Sequence, residues 1–382
     1  MTLLGSPALR IGATGFGLIA VCYGFARFAF GLFLPQIDAD LGLGAGLSGV
    51  ISGGSFFGYC IAIVVSAWAT ERFGARSVAI AAAVVAAVGM AGIALSPSSA
   101  WLAAAVLLAG SSTGLASPPM AAAVAAAVRP ARQDATNTAI NAGTSAGVAL
   151  SGAVALTLAG EWRLAFGAFT AMGMLLAVAA MRTIPAARGG DGAGGLPPIT
   201  GPVVRLVGAS FLMGAASTAL WSFGGQLAAL RLGWESAGAG LLWSFLGAGG
   251  IAGALAGTLI ARFGVDRVHW TSLALMAAGI LAVGSAFTSP VLALVGGGLF
   301  GGAYVMLTGV YLVWGVRAVS DRPATGLMIG FLTIAIGQTA GAPLFGLLLD
   351  GVGPGVVAAT FAGLALLPGI FSARRVAAPA SA

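Results

Sequence analysis

The sequence predicts an all-α integral membrane protein with twelve transmembrane helices, arranged as two pseudo-symmetric six-helix bundles. Three observations carry this reading. Of 382 residues, 59% are hydrophobic and only 7% are charged, where a soluble domain holds about 25% charged. A mean hydropathy of +1.03 is too high for one buried core, so the apolar residues must face an apolar solvent. The apolar residues fall into blocks long enough to span a bilayer, and the arginines between the blocks collect on one side of it.

Taken in order, the predicted spans are 12–34, 47–70, 76–95, 100–127, 135–158 and 163–182, then 203–229, 237–261, 269–288, 291–316, 323–349 and 355–373. Each is near the ~20 residues a spanning helix needs. Pro35 and Asp38 punctuate the end of the first, Ser96-Pro97 that of the third and Ser289-Pro290 that of the ninth. The fourth and tenth are long enough to tilt or kink. Pro118-Pro119 predicts a kink inside the fourth. The runs are continuous rather than alternating, which excludes barrel strands.

Charge placement supports the even count. There is no lysine, and all 17 basic residues are arginine. With a cytoplasmic N-terminus, Arg10, Arg72, Arg76, Arg129, Arg132, Arg182, Arg188, Arg205, Arg262, Arg267, Arg317, Arg322, Arg374 and Arg375 all fall at the cytoplasmic side. Arg163 and Arg231 fall outside, and Arg27 falls within a span. Cytoplasmic loops carry such an excess, so both termini are expected in the cytoplasm of a cell inner membrane. The arginines come singly or in pairs and form no basic stripe, so no nucleic-acid partner is expected. The segment before the first span does not read as a secretory signal. Cys22 and Cys60 sit within apolar runs and read as small buried fillers.

Residues 183–202 hold Gly189-Gly190-Asp191-Gly192 and Gly194-Gly195-Leu196-Pro197-Pro198, a flexible cytoplasmic linker. It divides the chain into halves at 1–182 and 203–382. The halves resemble each other. Glu71-Arg72-Phe73-Gly74 matches Ala261-Arg262-Phe263-Gly264 at an offset of 190, and Gly143, Gly147 and Gly152 match Gly337, Gly341 and Gly346 at 194. The glycine share, 62 of 382, sits inside these apolar runs, where small residues let membrane helices approach closely.

The loop Ala67-Trp68-Ala69-Thr70-Glu71-Arg72-Phe73-Gly74-Ala75-Arg76 resembles the Gly-x-x-x-Asp-Arg-x-Gly-Arg-Arg/Lys pattern of the major facilitator superfamily. It departs at Ala67, at Glu71 and at Ala75. The second copy, from Gly257 to Arg267, keeps Gly257, Arg262 and Gly264 but lacks the acid. Helix count, linker and repeats extend the resemblance over essentially the whole chain, and parallel repeats are a transporter architecture. The resemblance implies a secondary transporter working by alternating access. It also implies a conformational latch at Glu71, Arg72, Gly74, Arg76 and Arg262, whose charges bridge helix ends when the cytoplasmic side is shut. The other reading of these charges is topology-setting in a tight turn. Two patterns of the drug-exporting branch are missing: Gly110 stands where a fourth-helix Arg is expected, and Gly147-Val148 where a Gly-Pro pair is.

Arg27 is the strongest single signal. Seven residues separate it from Leu34, about 10 Å at 1.5 Å per residue. A guanidinium at that depth costs at least ~2.5 kcal/mol and keeps its proton. The acids all lie near helix ends. Arg27 therefore either faces a central cavity and binds a substrate carboxylate, or snorkels outward, or pairs with Asp38 or Asp350. Tyr23 stands four residues earlier on the same face. Tyr59, Trp221, Gln226 and Gln338 lie in apolar helices of both halves. Asn137 and Asn141 share one face of the fifth span, and Tyr304 and Tyr311 share one of the tenth. These residues either line a midplane cavity or serve as interhelical packing and hydrogen-bonding groups. His269, the one histidine, lies at a cytoplasmic helix end.

No triad, metal cluster or P-loop is present, so no enzyme activity and no cofactor are expected. The first functional expectation is transport of a small organic anion, by proton symport, exchange or uniport, as a monomer in the lipid bilayer. The coupling partner would be a proton or an exchanged anion. Efflux of hydrophobic or drug-like compounds is the alternative. A non-transporting membrane receptor or enzyme is the reading from another class.

Overall fold

The computed structural model describes residues 6–158, 160–186 and 199–373, apart from the side chains of residues 323 and 324. The described residues form helices joined by short turns, with no strand among them. Eleven helices are long and apolar enough to cross a membrane, and a shorter apolar helix, Pro354–Ile370, takes the twelfth place. The first six spans are α1 (Pro7–Leu41), α2 (Gly44–Phe73), α3 (Ala75–Ala94), α4 (Ser99–Ala127), α5 (Pro130–Thr157) and α6 (Trp162–Thr183). The rest of the chain comprises α7 (Gly201–Trp221), the short α8 (Gly224–Leu232), α9 (Ser236–Phe263), α10 (Val265–Gly284), α11 (Pro290–Ala318), α12 (Pro323–Val352) and α13 (Pro354–Leu366). Most of the expected linker, with Arg188, lies outside the described residues, as do Arg374 and Arg375.

Several boundaries differ from the sequence reading. Pro35 does not end α1, which runs on to Leu41 and stops at Gly42 with φ 62°. The carbonyl of Gly31, which a proline at 35 leaves without its helical donor, lies against Gly225 at the start of α8. The predicted seventh span breaks at Ser222-Phe223, giving α7 and α8. The fourth span does not differ in this way: α4 runs through Pro118 and Pro119 as one helix. α9 contains a tighter 3-10 stretch, Ile251–Leu255.

α6 ends and α7 begins on the face where α1 starts, and there Arg10 Nη2 donates to the Arg182 carbonyl at 3.2 Å. We call this face the linker side and the opposite face the distal side. Helices meet at glycines whose missing Cβ makes room for a neighbour's backbone. Gly143 and Gly147 of α5 press on the carbonyls of Phe16 and Ala20 in α1. Gly337 and Gly341 of α12 press in the same way on Phe211 and Ala215 of α7. The glycines are 194 residues apart and their partners 195, so contacts repeat as well as sequence. Gly74 and Gly264, 190 residues apart, end α2 and α9 with φ/ψ of 85°/156° and 84°/157°, a left-handed φ that favours glycine.

The two arginines outside the predicted charge pattern cap helix ends, where a cation meets unpaired carbonyls. Arg163 Nη1 donates to the carbonyls of Ala94 (3.1 Å) and Ser96 (2.9 Å) at the end of α3. Arg231 Nε donates to Gly284 (2.9 Å) at the end of α10.

Candidate functional site

Arg27 lies at mid-length in α1, in a stretch where the helix loosens to π geometry, Ala20–Phe28. Such stretches are rare and concentrate at functional sites. The cause of close approach is visible nearby: Gly24 packs on the backbone of Gly147 and Val148, so α1 and α5 touch without an intervening side chain. The guanidinium is carried toward the second set of six spans and is 6% exposed. The snorkelling and acid-pairing alternatives are thereby excluded for this structure. Asp38 Oδ1 instead accepts from the Gly44 amide (2.8 Å), and Asp350 Oδ2 from the Gly46 amide (2.9 Å).

The partner of Arg27 is neutral. Its Nη2 donates to Gln338 Oε1 of α12 at 2.6 Å. Gln338 is fully buried, and its Nε2 donates to Ser217 Oγ (3.1 Å) and to Tyr304 OH (3.2 Å). These bonds fix the amide so that its carbonyl oxygen faces the cation. Aromatic faces complete the surround. The guanidinium carbon lies 4.7 Å from the ring centre of Tyr59, 4.8 Å from Phe56, 5.2 Å from Phe28 and 5.8 Å from Tyr23, all within cation–π range. Trp221 stacks on Phe28 at 4.1 Å and meets Tyr304 edge-on at 5.1 Å. Arg27 Nε is buried without a hydrogen-bond partner. Arg27 makes no ion pair among the described residues, so a full positive charge is held here by dipoles and ring faces alone.

Of the residues expected to line a cavity, Tyr23, Tyr59, Trp221, Tyr304 and Gln338 meet around Arg27. Tyr311 does not. It stands two helical turns further along α11, its hydroxyl 3.0 Å from His269 Nε2 and donating to the Ala209 carbonyl at 3.3 Å. Helical spacing put both tyrosines on one face, but two turns take Tyr311 into a separate polar cluster. His269 is buried there. Gln226 is on α8, beyond the break after Trp221, with its Oε1 buried and unpartnered. Asn137 is half-buried and Asn141 exposed near the linker-side start of α5, and neither reaches Arg27. Phe28, Phe56 and Ser217 were not anticipated. Ser217 carried a usable signal, since it precedes Trp221 by four residues and so shares its face.

Among the described residues, the two sets of spans are hydrogen-bonded to each other from mid-depth toward one face only. The hydrogen bonds that join the first six spans to the last six lie at mid-depth or toward the distal side. Besides Arg27–Gln338 they include Ser52 to Ser222 (2.6 Å), Ser244 to the Ala149 carbonyl (3.4 Å) and Gly46 to Asp350. Gly49 and Gly53 of α2 back onto the carbonyls of Ala342 and Thr339, sealing the same side. On the linker side the expected latch residues form no such bridge. Glu71, Arg72 and Arg262 are exposed. Arg76 Nε donates to the Ile184 carbonyl (2.7 Å), within the first six spans.

A polytopic helical membrane protein, with a polar site buried between two sets of six spans and sealed from one face, has the build of a secondary transporter. The profile described as Major Facilitator Superfamily matches residues 16–331, and the chain belongs to that family. It is a transporter rather than an enzyme. The fold is similar to that of the xylose transporter XylE from E. coli in a partially occluded inward-open conformation, with TM-score 0.79 and 14% identity over 98% of this chain and 100% of that one. It is similar to a mutant of the nucleoside transporter NupG, with TM-score 0.79 and 13% identity over 96% and 98% of the chains. It is also similar to the human organic anion transporter MFSD10, with TM-score 0.66 and 18% identity over 96% and 99%. No curated protein matches the sequence significantly.

Proposed function

We propose that the chain moves a small organic anion of the carboxylate type across a cell inner membrane by alternating access, and that Arg27 binds its charged group. The observation that carries this is the buried guanidinium with a neutral partner and an unfilled Nε. An anion arriving between the two sets of spans exchanges the Gln338 bond for a charge-assisted, bidentate one, about twice as strong as a neutral hydrogen bond. Tyr59, Tyr23 and Trp221 then hold its carbon skeleton. Residues 1–182 and 203–382 rock as two bodies about this site, with both termini cytoplasmic. Closure of the linker side brings Glu71, Arg72 and Arg76 onto neighbouring helix ends. The fold shared with an organic anion transporter is compatible with this substrate class, although shared fold does not assign it. The coupling partner is a proton or a second anion.

The aromatic walls support a second reading, export of hydrophobic compounds. Proteoliposomes containing the full chain, offered labelled carboxylates and cationic dyes, separate the two. Saturable carboxylate flux is expected. Arg27→Ala should weaken carboxylate binding by about 30-fold or more, the effect of truncating a buried charged hydrogen-bonding group at 2–5 kcal/mol. Arg27→Lys should fall between. Dye flux that is indifferent to both substitutions would establish the second reading instead.

A further inference from the structure

The second set of spans carries a groove that the transport site does not use. It has a volume of about 570 Å³, with α11 as its floor and α9 and α10 as its walls. Gly298, Gly302 and Met306 belong to the floor, Leu259 and Phe263 to one wall, and Leu275 to the other. The groove opens away from the transport site. Gly302 precedes Tyr304 by two residues, which at 3.6 residues per turn puts them about 200° apart on α11, and Tyr304 faces Gln338. Exposed Leu275, Leu299 and Phe263 at the groove therefore look into the hydrocarbon of the bilayer.

The groove has a sequence cause. α9 tightens to 3-10 geometry at Ile251–Leu255 beside the groove, and two floor positions are glycine where the first half has larger residues. Aligned at the N-caps Ser98 and Ser289, an offset of 191, Leu107 and Ser111 stand in place of Gly298 and Gly302. The helix crossing itself repeats, with Gly58 against the Leu107 carbonyl in that half and Gly249 against the Gly298 carbonyl in this one, so the groove comes from missing side chains rather than from parted helices.

One end of the groove is polar. Arg267, Thr271 and Ser272 close it on the linker side. Arg267 is exposed, with no hydrogen-bond or ion-pair partner among the described residues, and no acid lines the groove. From Arg267 to Leu275 is eight residues of α10, about 12 Å, close to the ~15 Å of one leaflet's hydrocarbon. We infer that this groove is a binding site for an anionic phospholipid of the linker-side leaflet, its acyl chain lying along the glycine floor and its headgroup on Arg267. Length, apolar walls and a single cation at the headgroup level together select a lipid with net negative charge.

The test uses the full chain in mild detergent, titrated with phosphatidylglycerol or phosphatidylcholine of identical acyl chains and read by native mass spectrometry. Wild type is expected to bind phosphatidylglycerol about fivefold tighter, the preference one arginine at a membrane surface confers. Arg267→Gln should bring the two lipids to parity. Gly298→Leu should weaken both, because a Cβ at 298 meets only the Phe245 carbonyl at an ordinary 3.6 Å and the longer side chain fills the floor. If phosphatidylglycerol binding is unchanged in both variants, the inference is wrong. It is equally wrong if Gly298→Leu abolishes a dimer of the wild type while lipid binding stays intact, since the groove would then seat a second copy. Arg267→Gln, on the surface, keeps the test decisive if the filled variant does not fold.

Discussion

The two sets of six spans share a scaffold and differ at the centre. Gly143 and Gly147 against Phe16 and Ala20 are repeated by Gly337 and Gly341 against Phe211 and Ala215. At the same offsets, Ser222 stands where Arg27 does, and Thr144 where Gln338 does. One half contributes the cation and the four rings that face it, and the other contributes a neutral amide, two hydroxyls and Trp221. Glycines that set how closely backbones approach are duplicated. Side chains that reach the centre are not. The repeat therefore specifies the frame, and the centre is where the two halves diverge from it.

The most severe way to break this asymmetry is Gln338→Glu. A carboxylate 2.6 Å from the guanidinium would form an internal ion pair, and a substrate anion would then have to displace a charge rather than a dipole. Anion affinity in equilibrium binding should fall by about 100-fold, within the 2–5 kcal/mol span for buried charged contacts, while the purified protein still folds. Gln338→Glu that transports carboxylates as well as wild type would show that Arg27 is not the anion site.

The shared frame can be perturbed next. Gly49 meets the Ala342 carbonyl and Gly53 the Thr339 carbonyl, so Gly49→Leu cannot keep the distal seal. In a background with Cys22 and Cys60 replaced by alanine, a cysteine at Ser52 is buried in this state and should react slowly with a water-soluble thiol reagent. Adding Gly49→Leu should speed that reaction at least about tenfold, the equivalent of about 1.4 kcal/mol between the two states. An unchanged rate would mean that the glycine contacts do not hold the distal side closed.

Legibility followed the same division. The frame was readable because bilayer thickness fixes span length and because glycines at helix crossings recur at a fixed offset. Arg27 was readable because a charge inside an apolar run is costly enough to stand out. Gln338 was legible as a lining residue but not as the partner of Arg27, since nothing in one helix states which residue of a helix 311 positions away it will meet. Tyr311 and the Asn137/Asn141 pair show the same limit, because a shared helical face gives direction around the helix but not depth within the membrane. The break at Ser222-Phe223 has a signal in Gly224-Gly225 just after it, but glycine pairs also sit inside unbroken spans of this chain, as Gly53-Gly54 does, so the signal does not discriminate. α1 ran past Pro35 because a proline near a helix end can be accommodated by a neighbour, here the backbone at Gly225.

A smaller effect is expected at the linker-side charges. Glu71, Arg72 and Arg262 are exposed in this state, so Glu71→Gln should leave thermal stability of the open form unaltered. If Glu71 engages a helix end only when that side closes, exchange rates in proteoliposomes should drop by about fivefold, the worth of one ion pair near 1 kcal/mol. Arg262 lacks an acid at the position matching Glu71, so Arg262→Gln should act more weakly than Arg72→Gln. Equal effects would argue that the two loops contribute alike despite the missing acid.

The smallest effect separates helix capping from ion pairing at the distal side. Arg163 and Arg231 both donate to the end of a helix, α3 in one half and α10 in the other. Of the two, Arg163 alone has an acid among the described residues, with Nη2 2.8 Å from Asp40 Oδ2, and both of these side chains are well exposed at 40% and 49%. Exposed pairs contribute about 0–1 kcal/mol, so Asp40→Asn should change the unfolding midpoint barely. Arg163→Ala strips the carbonyls of Ala94 and Ser96 of a charged donor and should cost more, on the order of 1–2 kcal/mol. Arg231→Ala, with no acid to lose, should then match Arg163→Ala rather than Asp40→Asn. If Asp40→Asn proves as costly as Arg163→Ala, the pair rather than the cap holds that corner, and the two halves are braced differently.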